Sequence, residues 1–170
     1  KYKKLLSFTG WSMLGSMAGV GLIQGSAILL NIFFGALVNA AFAIAISIYN
    51  ATLSLANSIV LAFRAPMIKA YAANEMKILD VMFGISNKCI LYLLSAITIP
   101  FFVEMEQVLT IWLGSPSVEV ITFARIILIY TVCLAISSPI TTIIQATGNV
   151  KFYYICTDSM TLMHLPLAYI

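Results

Sequence analysis

Leu5–Phe63 reads LLSFTGWSMLGSMAGVGLIQGSAILLNIFFGALVNAAFAIAISIYNATLSLANSIVLAF, fifty-nine residues without one Asp, Glu, Lys or Arg. The hydrocarbon core of a bilayer needs about 20 apolar residues per helix. The run therefore holds two spans and a tight hairpin. A soluble helix would carry charge on its outer face every three or four residues, and this stretch carries none. The expectation is an integral membrane protein.

Working outward, the composition agrees. The chain is 62% hydrophobic and 9% charged, with a mean hydropathy of +1.04, where soluble domains are about one-quarter charged. A formal charge of +3, scattered along the chain, is too weak for a nucleic-acid footprint. Cys89, Cys133 and Cys156 are odd in number and lie in apolar surroundings, so they read as small buried hydrophobes rather than a disulfide or metal set. With no initiator Met and an apolar C-terminus at Ile170, the chain reads as a fragment of something longer.

Charges punctuate the remainder, and the fold class read from them is all-α with five transmembrane helices. The expected spans are 10–34, 37–63, 79–103, 118–147 and 152–170. Gly35-Ala36 joins the first two, a charged connector runs from Arg64 to Asp80, and an acidic loop carries Glu104, Glu106 and Glu119. Lys1, Lys3, Lys4, Arg64, Lys69, Lys77 and Lys151 all fall on one side of this zigzag. The positive-inside rule makes that side, and the N-terminal end, cytoplasmic. Tyr2, Phe8, Trp11, Tyr71, Trp112, Tyr153 and Tyr154 lie where interfacial aromatic belts are expected.

Polar residues at membrane depth are where function would show. Span one carries Gly15, Gly19, Gly21 and Gly25, a pattern for close helix packing or for a helix that bends. Gln24 and Asn31 share one of its faces. In span two, Asn39, Ser47, Asn50, Ser54, Asn57 and Ser58 fall within an arc of about 100°. Such a stripe either bonds neighbouring helices or lines a wet cavity, because unpaired polar groups cost several kcal/mol in lipid. In span four, Thr131, Ser138, Thr141, Thr142 and Gln145 cluster around a kink expected at Pro139. Arg125 is placed to snorkel to the outer interface or to line the cavity, and Lys88 to anchor at the cytoplasmic side. In span five, Tyr154, Thr157, Asp158, Thr161 and His164 share a face. Asp158, the sole carboxylate well inside a span, is the candidate coupling-ion residue, and His164 is a packing residue or a proton relay.

No metal-ligand spacing, phosphate loop or nucleophile with a base is present in the sequence. The expectation is therefore a non-enzymatic protein with no cofactor and no metal.

Several segments together resemble the bacterial polysaccharide (O-antigen type) flippases of the multidrug/oligosaccharidyl-lipid/polysaccharide exporter superfamily. They are Gly10-Trp11, Leu29-Leu30-Asn31-Ile32-Phe33-Phe34-Gly35, Val38-Asn39-Ala40-Ala41 and Pro66-Met67-Ile68-Lys69-Ala70-Tyr71-Ala72. Ile111-Trp112-Leu113, Phe123-Ala124-Arg125, Gln145-Ala146-Thr147-Gly148-Asn149-Val150-Lys151 and Leu165-Pro166 continue the likeness to the end. The resemblance implies part of the C-terminal lobe of a two-lobed transporter in the bacterial inner membrane, its N-terminal lobe lying outside this sequence. It also implies a cargo of polyprenyl-diphosphate-linked oligosaccharide, moved by alternating access. The implied partners are the bilayer and that lipid-linked saccharide. The substrate-cavity candidates are Gln24, Asn31, Asn39, Asn50, Ser54, Asn57, Arg125 and Gln145. Members carry an Arg shortly after Asn-Ala-Ala, where this chain has Phe42, and often an Asn where Ala65 precedes Pro66. One cavity cation suited to a diphosphate is thereby missing. A cation-coupled drug exporter of the same superfamily is the alternative; a membrane-embedded transferase and a purely structural subunit fit the residues less well.

Overall fold

The computed structural model describes residues 2–148 and 150–169, and the side chains of all of these except 2–8, 14, 162, 164, 165, 168 and 169. Among the described residues there is no strand. The order is α1 (Tyr2–Ala72), α2 (Met76–Val103), α3 (Met105–Leu113), α4 (Val118–Thr147) and α5 (Lys151–Tyr169). Three helical stretches, Thr9–Ala72, Met76–Val103 and Val118–Thr147, are long and apolar enough to cross a membrane.

Thr9–Ala72 is 64 residues long, about 96 Å of continuous helix at 1.5 Å per residue, against a hydrocarbon core of about 30 Å. The helix is not continuous. Gly35 breaks it with φ 83° and ψ 178°, a region closed to residues with a Cβ. The break leaves a first arm, 2–34, and a second arm, 36–72.

The charged connector expected between Arg64 and Asp80 is mostly helical. The second arm continues through Pro66 to Ala72, because Met67 and Ala70 pack against Leu79. It then stops in three residues. Asn74 takes φ 59°, its N–H bonds the Tyr71 carbonyl at 3.0 Å, and the Glu75 N–H bonds the Ala70 carbonyl at 2.9 Å. This is the Schellman arrangement, which satisfies the last carbonyls of a helix. The expected acidic loop also holds a helix. α3 buries Met105 and Leu109, spaced i and i+4, and ends at Gly114, whose φ is 84°.

The chain divides into two units, 1–39 with 147–170 and 40–146. In the larger unit, three buried clusters stack along the second arm. The first joins Ala41 and Ile48 to Met105, Leu109, Val120, Ala124 and Leu128, with Phe101 against it. The second joins Ala56 to Ile90, Leu94 and Ala135. The third joins Met67 and Ala70 to Leu79, with Ile143 against it. Positions rise together along the second arm and α4 and fall along α2. The second arm and α4 are therefore parallel, with α2 antiparallel to both. Alanines at the seams (Ala41, Ala45, Ala56, Ala124 and Ala135, all buried) let the helices approach closely, as packing in lipid requires.

Phe42 meets Phe123 edge-on with centroids 6.2 Å apart. Tyr49 stacks on Tyr130, also at 6.2 Å. Arg64 reaches Gln145. Each pair is 81 residues apart in the chain, the separation of Arg64 from Gln145, so one register holds along the whole helix pair. Pro139 does not shift it.

In the smaller unit, the Lys151 ammonium sits 5.6 Å from the centroid of Trp11, and Gly15 faces Tyr154 and Asp158. The first arm and α5 therefore also run parallel. Gly15 is the close approach: a Cβ there would stand 2.7 Å from Tyr154 Cδ1 and 3.4 Å from Asp158 Oδ2. Gly19 and Gly21 have nothing within 4 Å of a built Cβ, so tight packing falls on Gly15 and not on those two.

Candidate functional site

Below the stacked tyrosines, the parallel pair in the larger unit opens into a groove of about 350 Å³. The second arm contributes Asn57, Val60, Leu61 and Arg64, and α4 contributes Ser138, Thr141, Thr142 and Gln145. Both sets are spaced i, i+3, i+4 and i+7, which is one face of a helix. The two faces meet in the same register as the aromatic pairs. The Arg64 guanidinium donates from Nη2 to Gln145 Oε1 at 2.9 Å and bridges the two walls of the groove.

Pro139 shapes the α4 wall. It has no N–H, so the Ala135 carbonyl loses its normal i+4 donor. Ser138 Oγ donates to that carbonyl at 2.6 Å instead. A serine hydroxyl has one proton. With that proton given to Ala135, Ser138 presents lone pairs alone to the groove.

Of the residues singled out in the sequence, Asn57 and Gln145 come together here with Ser138, Thr141 and Thr142 of the span-four cluster, whereas Thr131 is buried away from the groove. Asn50 and Ser54 are exposed on the same face of the second arm, within two turns of Asn57, but do not line the groove. The stripe as a whole lies about half a turn away from the buried seam of Ala41, Ala45, Ile48, Thr52 and Ala56, on the opposite face of the helix. Its serines are partly self-satisfied: Ser47 donates to the Ala43 carbonyl at 3.1 Å and Ser58 to the Ser54 carbonyl at 3.0 Å. The carboxamides Asn50 and Asn57, both exposed, carry most of the polarity of this face.

The other candidates are elsewhere. Arg125 is exposed and lies 5.8 Å from the Phe102 ring centroid, near the α2–α3 end of the bundle and away from the groove. Gln24 and Asn31 are exposed on the first arm, and Asn39 is half-buried; all three belong to the smaller unit. Asp158 is half-buried on α5, beside Gly15 and on the face that carries Tyr154. Thr157 donates to the Tyr153 carbonyl at 2.9 Å and Thr161 to the Thr157 carbonyl at 2.8 Å. Their hydroxyl protons are thus committed to their own helix. The His164 side chain and Asn149 lie outside the described residues, as do the side chains of Lys3 and Lys4 and all of Lys1. Among the described residues no group of three His, Cys, Asp or Glu could hold a metal ion.

Arg64 is the site residue that sequence reasoning missed as such, having counted it as a flanking cation. The signal was present: Arg64 is seven residues past Asn57, on the same helical face. A second missed signal is self-similarity. FAIAISIY at 42–49 and FARIILIY at 123–130 align at the separation that the paired rings adopt. No family model, curated protein or solved structure matches the chain.

Proposed function

We propose that this chain is part of one lobe, the C-terminal one, of a two-lobed transporter in a bacterial inner membrane. It moves a polyprenyl-diphosphate-linked oligosaccharide from the cytoplasmic to the outer leaflet by alternating access, without cofactor or metal and without catalysing a reaction. Five spans with the N-terminal end cytoplasmic complete the reading.

The observation that carries it is the carboxamide face of the second arm. Asn50 and Asn57 sit on an exposed stripe turned away from the α2 contact, and Asn57 lines the groove beside α4. Amides in such a place belong against water, a ligand or a facing lobe, not against acyl chains. The segmental resemblance to polysaccharide flippases supplies the cargo class. Charge supports the orientation: Arg64, Lys69 and Lys77 lie toward one end of the larger unit, and Glu104, Glu106 and Glu119 toward the other.

A cation-coupled small-molecule exporter is the second reading. It is favoured by the half-buried carboxylate of Asp158 beside Gly15.

The test is export in cells whose own copy of the gene is deleted, complemented with the full-length protein. Asn50→Leu should insert normally and leave lipid-linked saccharide accumulated at the cytoplasmic face, with surface polysaccharide reduced at least several-fold. Wild-type export by Asn50→Leu and Asn57→Leu alike would remove the cavity from this face. Wild-type saccharide export by the deletion strain itself would remove the cargo.

A further inference from the structure

We infer that the groove between the second arm and α4 is a saccharide subsite, holding a sugar ring of the cargo rather than its diphosphate. The inference rests on the transporter reading above and names what this part of the path binds.

The donor and acceptor inventory carries the argument. Ser138 has spent its proton on the Ala135 carbonyl and is an acceptor toward the groove. Arg64, on the opposite wall, is a donor and cannot accept. A ligand that satisfies Ser138 and Arg64 together must donate to the first and accept from the second. Vicinal sugar hydroxyls do both, and so does the carboxamide of Asn57. A phosphate oxyanion only accepts, and against Ser138 it would face lone pairs.

Charge points the same way. Arg64 is the single cation lining the groove, and its guanidinium is already bridged to Gln145 at 2.9 Å. Diphosphate recognition relies on charge-assisted and often bidentate contacts, and one cation shared with an amide is a poor match for that charge. Val60 and Leu61 supply an apolar patch suited to the C–H face of a pyranose. About 350 Å³ is at the small end of ligand sites, the scale of a short saccharide and not of a polyprenyl tail.

The experiment places a benzophenone photo-crosslinking residue at Thr141 in the full-length protein, in the membranes of cells making the polysaccharide. A matched protein carries it at Ile140, which is 46% exposed but does not line the groove. Adducts are read by mass spectrometry before and after periodate, which cleaves vicinal diols. The expected result is a periodate-sensitive, glycan-bearing adduct at Thr141, at least five times more abundant than at Ile140. Phospholipid adducts alone at Thr141, equal glycan adducts at both positions, or no adduct would overturn the subsite. The two readings fail separately. Impaired export by Asn50→Leu with only phospholipid at Thr141 removes the subsite and leaves the transporter. Normal saccharide export by the deletion strain removes the transporter and the subsite together.

Discussion

Arg64 reaches across the second arm–α4 pair to Gln145 at the same 81-residue offset that sets Phe42 on Phe123 and Tyr49 on Tyr130. A polar bridge and two aromatic pairs thus share one register on either side of Pro139. In lipid, where apolar burial does not drive association, such a register has to come from packing and specific pairs. Aromatic pairs contribute about 0.5–1.5 kcal/mol each beyond area burial in soluble proteins.

The register is directly measurable. In a background with Cys89, Cys133 and Cys156 replaced by Ala, cysteines at Tyr49 and Tyr130 should form a disulfide under mild oxidation. Cysteines at Tyr49 and Ile126 should not, since Ile126 is one turn away and 60% exposed. The readout is mobility on a non-reducing gel after a protease cut between α2 and α4. Efficient linking of the second pair, with none of the first, would mean that α4 slides by a turn.

Ser138 and Pro139 form a thermodynamic pair. The Ala135 carbonyl belongs to a buried residue, and its replacement donor is the Ser138 hydroxyl. Removing that donor should cost about 1–3 kcal/mol, the price of a buried group left unsatisfied. In a Pro139→Ala background the amide of residue 139 can donate instead, so Ser138→Ala should then be close to neutral. A double-mutant cycle on unfolding in mixed micelles measures the difference. Equal costs in both backgrounds would mean that Ser138 does not cap Ala135.

Gly15 and Gly19 should respond oppositely to the same change. Gly15→Ala places a Cβ 2.7 Å from the Tyr154 ring, so the ring or the helix pair must give, at about 1–3 kcal/mol for overpacking. Gly19→Ala meets nothing within 4 Å and should stabilise the helix by up to about 1 kcal/mol. Tyr154→Leu should relieve much of the Gly15→Ala cost. Unfolding midpoints of the three variants decide the matter, and equal effects of the two glycine changes would contradict the close approach at Gly15.

Helix type, the break near residue 35 and the extent of α4 were legible because they rest on long runs of apolar residues and on glycine punctuation. The ends of the charged segments were not. Arg64 suggested the close of a span, whereas Met67 and Ala70 packing on Leu79 carries the helix onward through Pro66. α3 escaped notice because it is only nine residues long, far short of a span, and opens beside Glu104 and Glu106, which read as loop. The polar stripe of span two was visible from spacing alone. Which helix faces it was not, because the partner wall is set by a register between segments 81 residues apart.

Sidedness follows from the charge asymmetry of the proposed reading. A cysteine at Ser115, exposed just after α3, should react with an impermeant maleimide added to intact cells. A cysteine at Asn74, exposed in the turn after the second arm, should react only after permeabilisation. The reverse pattern would invert the orientation and count against the proposed flippase topology.

Asp158 tests whether cation coupling resides in α5. Its carboxylate lies beside Gly15, and Thr157 and Thr161 on the same face have given their protons to backbone carbonyls. A half-buried carboxylate in an apolar helix is a candidate for coupling a cation to a conformational change. Asp158→Asn keeps the shape and removes the carboxylate. The variant should fold and bind cargo, while saccharide export loses its dependence on the proton gradient when a protonophore is titrated in. Gly15→Ala, which disturbs the same seam without removing the carboxylate, should lower export but keep its gradient dependence. If Asp158→Asn kept that dependence, Asp158 would be a structural residue at the first arm–α5 seam, and coupling would have to lie elsewhere.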